Sequence, residues 1–230
     1  LKIPYTHSGV VSSYNAMNKI ISKEIFAKNK IKTPKFFTLQ QIEFSVQKLK
    51  KKINKKKIKF PVVVKPINEG SSLGVMVCKN QEILFRSISK LYKVYEQLIF
   101  EEYVGGQEIQ VAVINGSPLG AIELVPKRLF YDYKAKYTKG ANTKHIMPAR
   151  LKKNKYQEVL NIAKKTHKVL GCKGVTRSDF KFNNNKFDLL EINTQPGMTS
   201  LSLVPEIANY RGVSFENLVE KILLDASINR

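Results

Sequence analysis

The chain has 230 residues, 43% of them hydrophobic, enough for a real core in one or two domains and too apolar for a disordered chain. No apolar run is long enough for a bilayer-spanning helix, and the two cysteines, Cys78 and Cys172, match no metal spacing and read as reduced thiols of a cytosolic protein. A formal charge of +22, from 40 Lys+Arg against 18 Asp+Glu, would suit a nucleic-acid binder, but the excess is mostly lysine spread along the chain.

The chain opens at Leu1-Lys-Ile-Pro-Tyr, without Met and already inside an apolar pattern. That start reads as a fragment whose N-terminal part is missing. Residues 13–29 carry an apolar stripe of Ala16, Met17, Ile20, Ile21, Ile25 and Phe26, which predicts one helix. Residues 32–37 read as a loop into a short strand, and 39–52 as a second helix capped by Thr38. The densest lysine block, 48–59, then ends that helix and forms the next loop. It has no interleaved aromatics for base stacking and reads as a solvated face. Residues 60–65 predict a buried strand with 74–78 as its antiparallel partner. A helix over 80–95 capped by Asn80 follows, and then a strand over 98–103.

After Gly105-Gly106 the pattern changes. Residues 108–114 alternate, Asn115-Gly116 is a hairpin turn, and 119–124 return. Residues 127–142 are weakly periodic and rich in aromatics, as an ordered functional loop would be. A helix over 154–170 ends at Gly171, and a last helix over 214–226 is capped by Ser214. The fold class expected is α+β, with two lobes, 1–104 and 105–230, and no internal repeats.

The segment with the most chemistry runs from Arg177-Ser-Asp179 to Glu191-Ile-Asn193. Asp179 opens one strand, residues 183–186 make a turn, and the return strand ends at Glu191. A hairpin of that length brings Asp179 and Glu191 together, and Asn193 shares a strand face with Glu191. Three hard oxygen ligands suit magnesium or manganese rather than zinc or copper. The alternative is a solvated hairpin with ordinary surface acids. Upstream, Glu69-Gly-Ser-Ser-Leu-Gly74 follows Lys65-Pro66 and links two strands. Its glycines would let backbone amides approach phosphate oxygens, although no Gly-Lys-Ser/Thr closes it as in a Walker loop. A plain glycine hairpin is the other reading. Lys65, with its stem buried at the end of Val-Val-Val, adds an ammonium suited to phosphate.

Further runs accompany these: Phe130-Tyr-Asp-Tyr-Lys-Ala-Lys-Tyr137, and Glu191-Ile-Asn-Thr-Gln-Pro-Gly-Met-Thr-Ser-Leu-Ser-Leu-Val-Pro205. Taken together and in this order, the motifs closely resemble the D-alanine–D-alanine ligase family of ATP-grasp enzymes, over essentially the whole chain. The resemblance implies an ATP-grasp fold with nucleotide between two α+β lobes. It implies ATP-dependent joining of two D-alanines through an acyl phosphate, in the cytoplasm, for peptidoglycan synthesis. It also implies that residues 1–9 leave an N-terminal domain lacking here, which supplies a glutamate to the first D-alanine site.

By motif, Lys19 and Lys65 would hold the ATP phosphates. Glu101, Glu102, Tyr103 and Val104 would line the adenine site, Tyr103 standing where the family often has tryptophan, and Glu108 would take the ribose. Asp179, Glu191 and Asn193 would bind two magnesium or manganese ions. Ser71 and Tyr137 would join the network of the absent glutamate, and Lys136 would cross from the loop to phosphate and substrate. Arg177 and the Gly197 amide would stabilise the tetrahedral oxyanion, and Ser202 and Leu203 would hold the second D-alanine. The partners implied are D-alanine and ATP, with no nucleic acid and no membrane, and a homodimer is the assembly allowed. An acceptor such as D-lactate or D-serine is the neighbouring alternative, and a basic nucleic-acid-binding protein the one from another class.

Overall fold

A computed structural model describes residues 2–126, 143–199, 202–228 and 230 of the chain. The predicted loop over 127–142, with Lys136 and Tyr137, lies outside the described residues.

The elements form two antiparallel sheets. The smaller has strands β1 (Phe36–Gln40), β2 (Val62–Pro66), β3 (Met76–Cys78) and β4 (Gln97–Glu102), in the order β1-β4-β2-β3. Period-two alternation gives it two different faces. Phe37, Leu39, Val62, Val64, Leu98 and Phe100 share a core with Leu49 of helix α3 (Val46–Lys56) and with Leu84, Ile88 and Leu91 of α4 (Gln81–Leu91). The alternate positions, Val63, Lys65 and Glu101, are left for the other face, and there the sheet meets its neighbour.

The larger sheet has strands β5 (Gln107–Ile114), β6 (Ser117–Val125), β7 (Lys144–Ile146), β8 (Val175–Asn183) and β9 (Lys186–Asn193), in the order β7-β6-β5-β8-β9. Ile109, Val111, Val113, Phe180 and Leu189 bury one face under Val159 and Ala163 of helix α5 (Lys153–Val169). Ala16, Phe26 and Ile31 join that core, so the segment before β1 packs on the larger sheet. On the other face, Ala112, Ile114, Ile122 and Leu124 are covered by α6 (Leu203–Tyr210) and by Leu218 of α7 (Phe215–Leu224). The remainder of that face, from Glu108 and Gln110 across to Asp179, faces the small sheet.

Two predicted helices differ from those observed. The one expected over 13–29 is broken into α1 (Val10–Met17) and α2 (Lys19–Lys28). Asn18 between them takes an extended conformation, and its side chain accepts from the amides of Ile20 (3.0 Å) and Ile21 (3.2 Å) as an N-cap. The break puts Lys19 at the first turn of α2, where its amide donates to the Ile67 carbonyl beside the glycine loop. The second helix starts at Val46, not near 39, with Ser45 accepting from the Lys48 amide at 3.1 Å. Thr38 lies in β1 opposite Ile99, because ladder bonds to β4 and burial of Leu39 outweigh local helical preference. Strand β7 and helix α6 carry no pattern in the sequence that predicts them. Asn80 and Ser214 cap their helices as expected.

Candidate active site

The two sheets face each other across a cleft with two adjoining pockets. One is walled by Lys65, Glu101, Tyr103 and Val104 of the small-sheet lobe, and by Glu108, Asp179, Lys181 and Glu191 of the large sheet. The other is lined by Ser13, Ser71, Gln110, Arg177, Asn193, Gly197, Ser202 and Leu203. Lys19, Glu69 and Glu191 border both. Of the residues singled out by sequence, those described all line one of these pockets.

The oxygen-bearing row is built by the β8–β9 hairpin. Its two-residue turn, Asn184-Asn185, has both φ positive (46° and 62°), the twist a tight hairpin needs. The ladder runs Phe182↔Phe187, Lys181↔Asp188 and Phe180↔Leu189, then slips so that Asp179 faces Glu191 and Arg177 faces Asn193. Asp179, Glu191 and Asn193 therefore share one face. Asp179 is buried and takes the Arg177 guanidinium in a two-pronged bond, Nε to Oδ1 at 2.8 Å and Nη2 to Oδ2 at 3.0 Å. Asn193 Oδ1 accepts from the Gln195 amide at 3.0 Å.

This donor set fits a divalent magnesium or manganese ion. A carboxylate keeps about two of its four lone-pair positions after a two-pronged arginine bond, and an amide oxygen keeps one after a single bond. All the donors are hard oxygens. Among the described residues no group of three or more His, Cys, Asp or Glu could hold a metal ion, so this set depends on the amide oxygen of Asn193 beside the two carboxylates.

Facing this row are buried lysines. Lys65 Nζ sits 2.9 Å from Glu101 Oε2, and Glu101 Oε1 lies 3.2 Å from Nζ of Lys23, a lysine that is 0% exposed. Burial pushes the Glu101 carboxyl up, but Lys23 and Lys65 outweigh it and hold the group below the usual carboxylate range. Burial pushes Lys23 down to about 8, the attraction of Glu101 notwithstanding. Lys19 is also driven down by burial, partly offset by Glu191, and its ammonium donates to the Glu69 carbonyl. Glu101 borders the first pocket, and its carboxylate is taken by two lysines. Glu108 is paired to Lys181 at 3.0 Å, and Glu102 lies 3.8 Å from Lys35.

The glycine loop closes the cleft from the side. Leu73 donates to the Gly70 carbonyl at 2.9 Å, and Ser71 and Ser72 both have positive φ. Gly74, at φ +69°, lies so close to Pro66 that a Cβ would come within 2.8 Å of its ring. At the far end, Thr199 N and Oγ1 meet Ser202 Oγ at 3.0 and 2.9 Å, which folds the chain around Gly197 before α6 begins. The Leu203 side chain is turned into the core under the large sheet.

The family model described as the D-ala D-ala ligase C-terminus matches residues 25–224. The chain belongs to the D-alanine–D-alanine ligase family. It is 59% identical to the D-alanine–D-alanine ligase of Pelagibacter ubique over 100% of this chain and 74% of that protein. It is 45% identical to that of Wolbachia pipientis wMel over 98% of this chain and 70% of that protein. The crystal structure of the Bacillus anthracis D-alanine–D-alanine ligase superposes with a TM-score of 0.84 at 30% identity, over 97% of this chain and 71% of that one. The same ligase complexed with ATP gives 0.81 at 29% identity, over 97% and 70%. These neighbours bear out the ATP-grasp fold and the α+β class expected from sequence.

Sequence reasoning missed Lys23. The signal was available: Lys23 is four residues after Lys19 and three before Phe26, so all three share the buried face of one helix. Gln110 was also missed. It is 1% exposed, borders the Arg177 pocket and has a carbonyl oxygen with no partner among the described residues.

Proposed function

We propose that the chain carries the nucleotide, metal and acceptor sites of an ATP-dependent ligase that joins two D-alanine molecules to give D-alanyl-D-alanine for peptidoglycan. The observation that carries this is the cleft itself. Buried Lys65 of the small sheet and Lys19 at the start of α2 border the cleft together with a row of carboxylate and amide oxygens on the large sheet, and the arginine pocket adjoins them. Phosphoryl transfer needs charge neutralisation and in-line positioning more than covalent help.

In this reading the adenine packs against 101–104, Glu108 holds the ribose and Lys19 and Lys65 hold the phosphates. Asp179, Glu191 and Asn193 would hold two magnesium or manganese ions, which when bound neutralise charge on the transferring phosphoryl group. The first D-alanine carboxylate attacks the terminal phosphorus of ATP, the bond to ADP breaks, and an acyl phosphate forms. The free amine of the second D-alanine then attacks the acyl carbon. Arg177 and the Gly197 amide face the oxyanion that appears, Ser202 and the Leu203 backbone amide hold the second D-alanine, and collapse expels phosphate, which leaves with the proton the amine gives up. By resemblance Ser71 and Tyr137 would join the network of the first D-alanine site and Lys136 would reach phosphate and substrate, in a site that must exclude water because water would hydrolyse the acyl phosphate.

Two buried free thiols, Cys78 and Cys172, support a reducing compartment, the cytoplasm. Among the described residues no helix is long and apolar enough to cross a membrane. The test is ADP titration with and without magnesium, followed by product analysis with ATP and D-alanine in competition with D-lactate and D-serine. Magnesium-enhanced binding by this chain is expected, with D-alanyl-D-alanine as the product where the first D-alanine site is also supplied. Failure to bind nucleotide would overturn the reading, and a depsipeptide or a D-serine product would change the acceptor.

A further inference from the structure

Lys23 is wholly withdrawn from solvent, and it borders neither pocket. Its ammonium donates to Thr33 Oγ1 at 2.6 Å, lies 5.5 Å from the centre of the Phe36 ring and faces Glu101 Oε1 at 3.2 Å. The other Glu101 oxygen holds Lys65 at 2.9 Å. A buried lysine is expensive unless a specific charge requires it.

The charges say what it does. Lys65 and Glu101 alone would make a neutral pair, with the carboxylate competing against any phosphate for the Lys65 ammonium. With Lys23 on the second oxygen, the trio carries a net positive charge, and the carboxylate is shared between two cations. From this geometry we infer that Lys23 is a positioning residue for nucleotide binding: by engaging Glu101 from behind, it leaves Lys65 cationic towards the phosphates without touching the nucleotide. The inference rests on the nucleotide site proposed above.

The experiment compares ADP and adenosine binding to the 230-residue protein and to Lys23→Met, which keeps the length and apolar stem. ADP affinity should fall on the order of tenfold, because a unit charge acts over a short distance in a medium of low dielectric. Adenosine has no phosphates, so its affinity should stay within about twofold. In Lys23→Met/Glu101→Gln the competing carboxylate is neutral, and the ratio of ADP to adenosine affinity, in which any change at the adenine wall cancels, should return to within about threefold of the parent's.

Equal losses for ADP and adenosine, or no loss for ADP, would overturn the inference while leaving the site intact. If Lys23→Met does not fold, the double variant decides alone, and a low ratio of ADP to adenosine affinity in a folded double variant sinks the idea. Should the parent bind neither ligand, the nucleotide site itself fails, and the inference fails with it.

Discussion

Glu191 stands opposite Asp179 only because the β8–β9 ladder slips by one residue between Phe180 and Asp179. In the regular part of the hairpin, Phe182 pairs with Phe187, Lys181 with Asp188 and Phe180 with Leu189. Continued unchanged, that register would put Leu190 opposite Asp179. Glu191 would then lie on the opposite face, in the core under α5. The extra residue, Leu190, is the bulge that re-aims both Glu191 and Asn193 towards the cleft.

The first prediction uses this pair. Glu191 borders both pockets, so Glu191→Gln should remove most of the magnesium-dependent part of ADP binding while leaving the metal-free part nearly unchanged. We expect the gain from magnesium to shrink by on the order of tenfold, with the melting temperature hardly moved. Calorimetric titrations with magnesium and with a chelator measure it. An undiminished magnesium effect in a folded variant would remove Glu191 from the metal site.

The hairpin also shows what was legible in the sequence. The turn asparagines, the alternation and the acid positions were all readable, and they located the site. The bulge was not, because a one-residue slip leaves no local signature and is decided by which register buries Leu189 and Ile192 together. The break at Asn18 was hidden for a related reason. An asparagine inside an amphipathic stripe looks like a tolerated polar residue until its neighbours, here the Ile67 carbonyl, fix the start of α2. Lys23 was overlooked because lysine normally marks a solvated face, and only tertiary pairing with Glu101 keeps it inside.

A second prediction concerns pH. His167 is buried, its Nδ1 2.9 Å from Thr176 Oγ1, and burial together with the Lys173 charge lowers it to about 4. Its folded value lies below the unfolded one of about 6.5. Between these values the unfolded chain binds a proton that the folded chain does not, so stability falls as pH drops from about 6.5 towards 4. Above that window both states are neutral and the effect vanishes. Melting curves at pH 5 and pH 7 should therefore differ more for the parent than for His167→Gln. Equal pH dependence in the two proteins would show that His167 does not titrate in this way.

A third prediction tests the glycine loop. Gly74→Ala would place a methyl in left-handed backbone, 2.8 Å from the Pro66 ring. The backbone cost alone is about 1–2 kcal/mol, and the contact adds to it by pushing on the end of β2 beside Lys65. We expect a lower melting temperature together with weaker ADP binding. By contrast, Gly70→Ala has open space for its methyl and should leave the melting temperature nearly unchanged. If the two variants behave alike, loop geometry at Gly74 is not what matters.

The last prediction concerns Arg177. Its guanidinium grips Asp179 by two bonds, yet the residue also borders the pocket of Gly197 and Ser202. A purely structural arginine would contribute through the Asp179 pair. An oxyanion donor would contribute only when charge develops on the attacked carbonyl oxygen. Arg177→Ala should then slow dipeptide formation by on the order of a hundredfold or more, with little change in ADP affinity measured without magnesium. Arg177→Lys should restore little, since a single ammonium cannot both occupy Asp179 and present the planar fork to the oxyanion. Asp179→Asn supplies the control, because it breaks the charge pair while keeping Arg177. If the arginine serves only the pair, both variants should lose stability and nucleotide affinity together. If it serves the oxyanion, Arg177→Ala should lose the amine-attack step while phosphoryl transfer from ATP continues. Single-turnover measurement of ADP release against dipeptide formation separates the two outcomes.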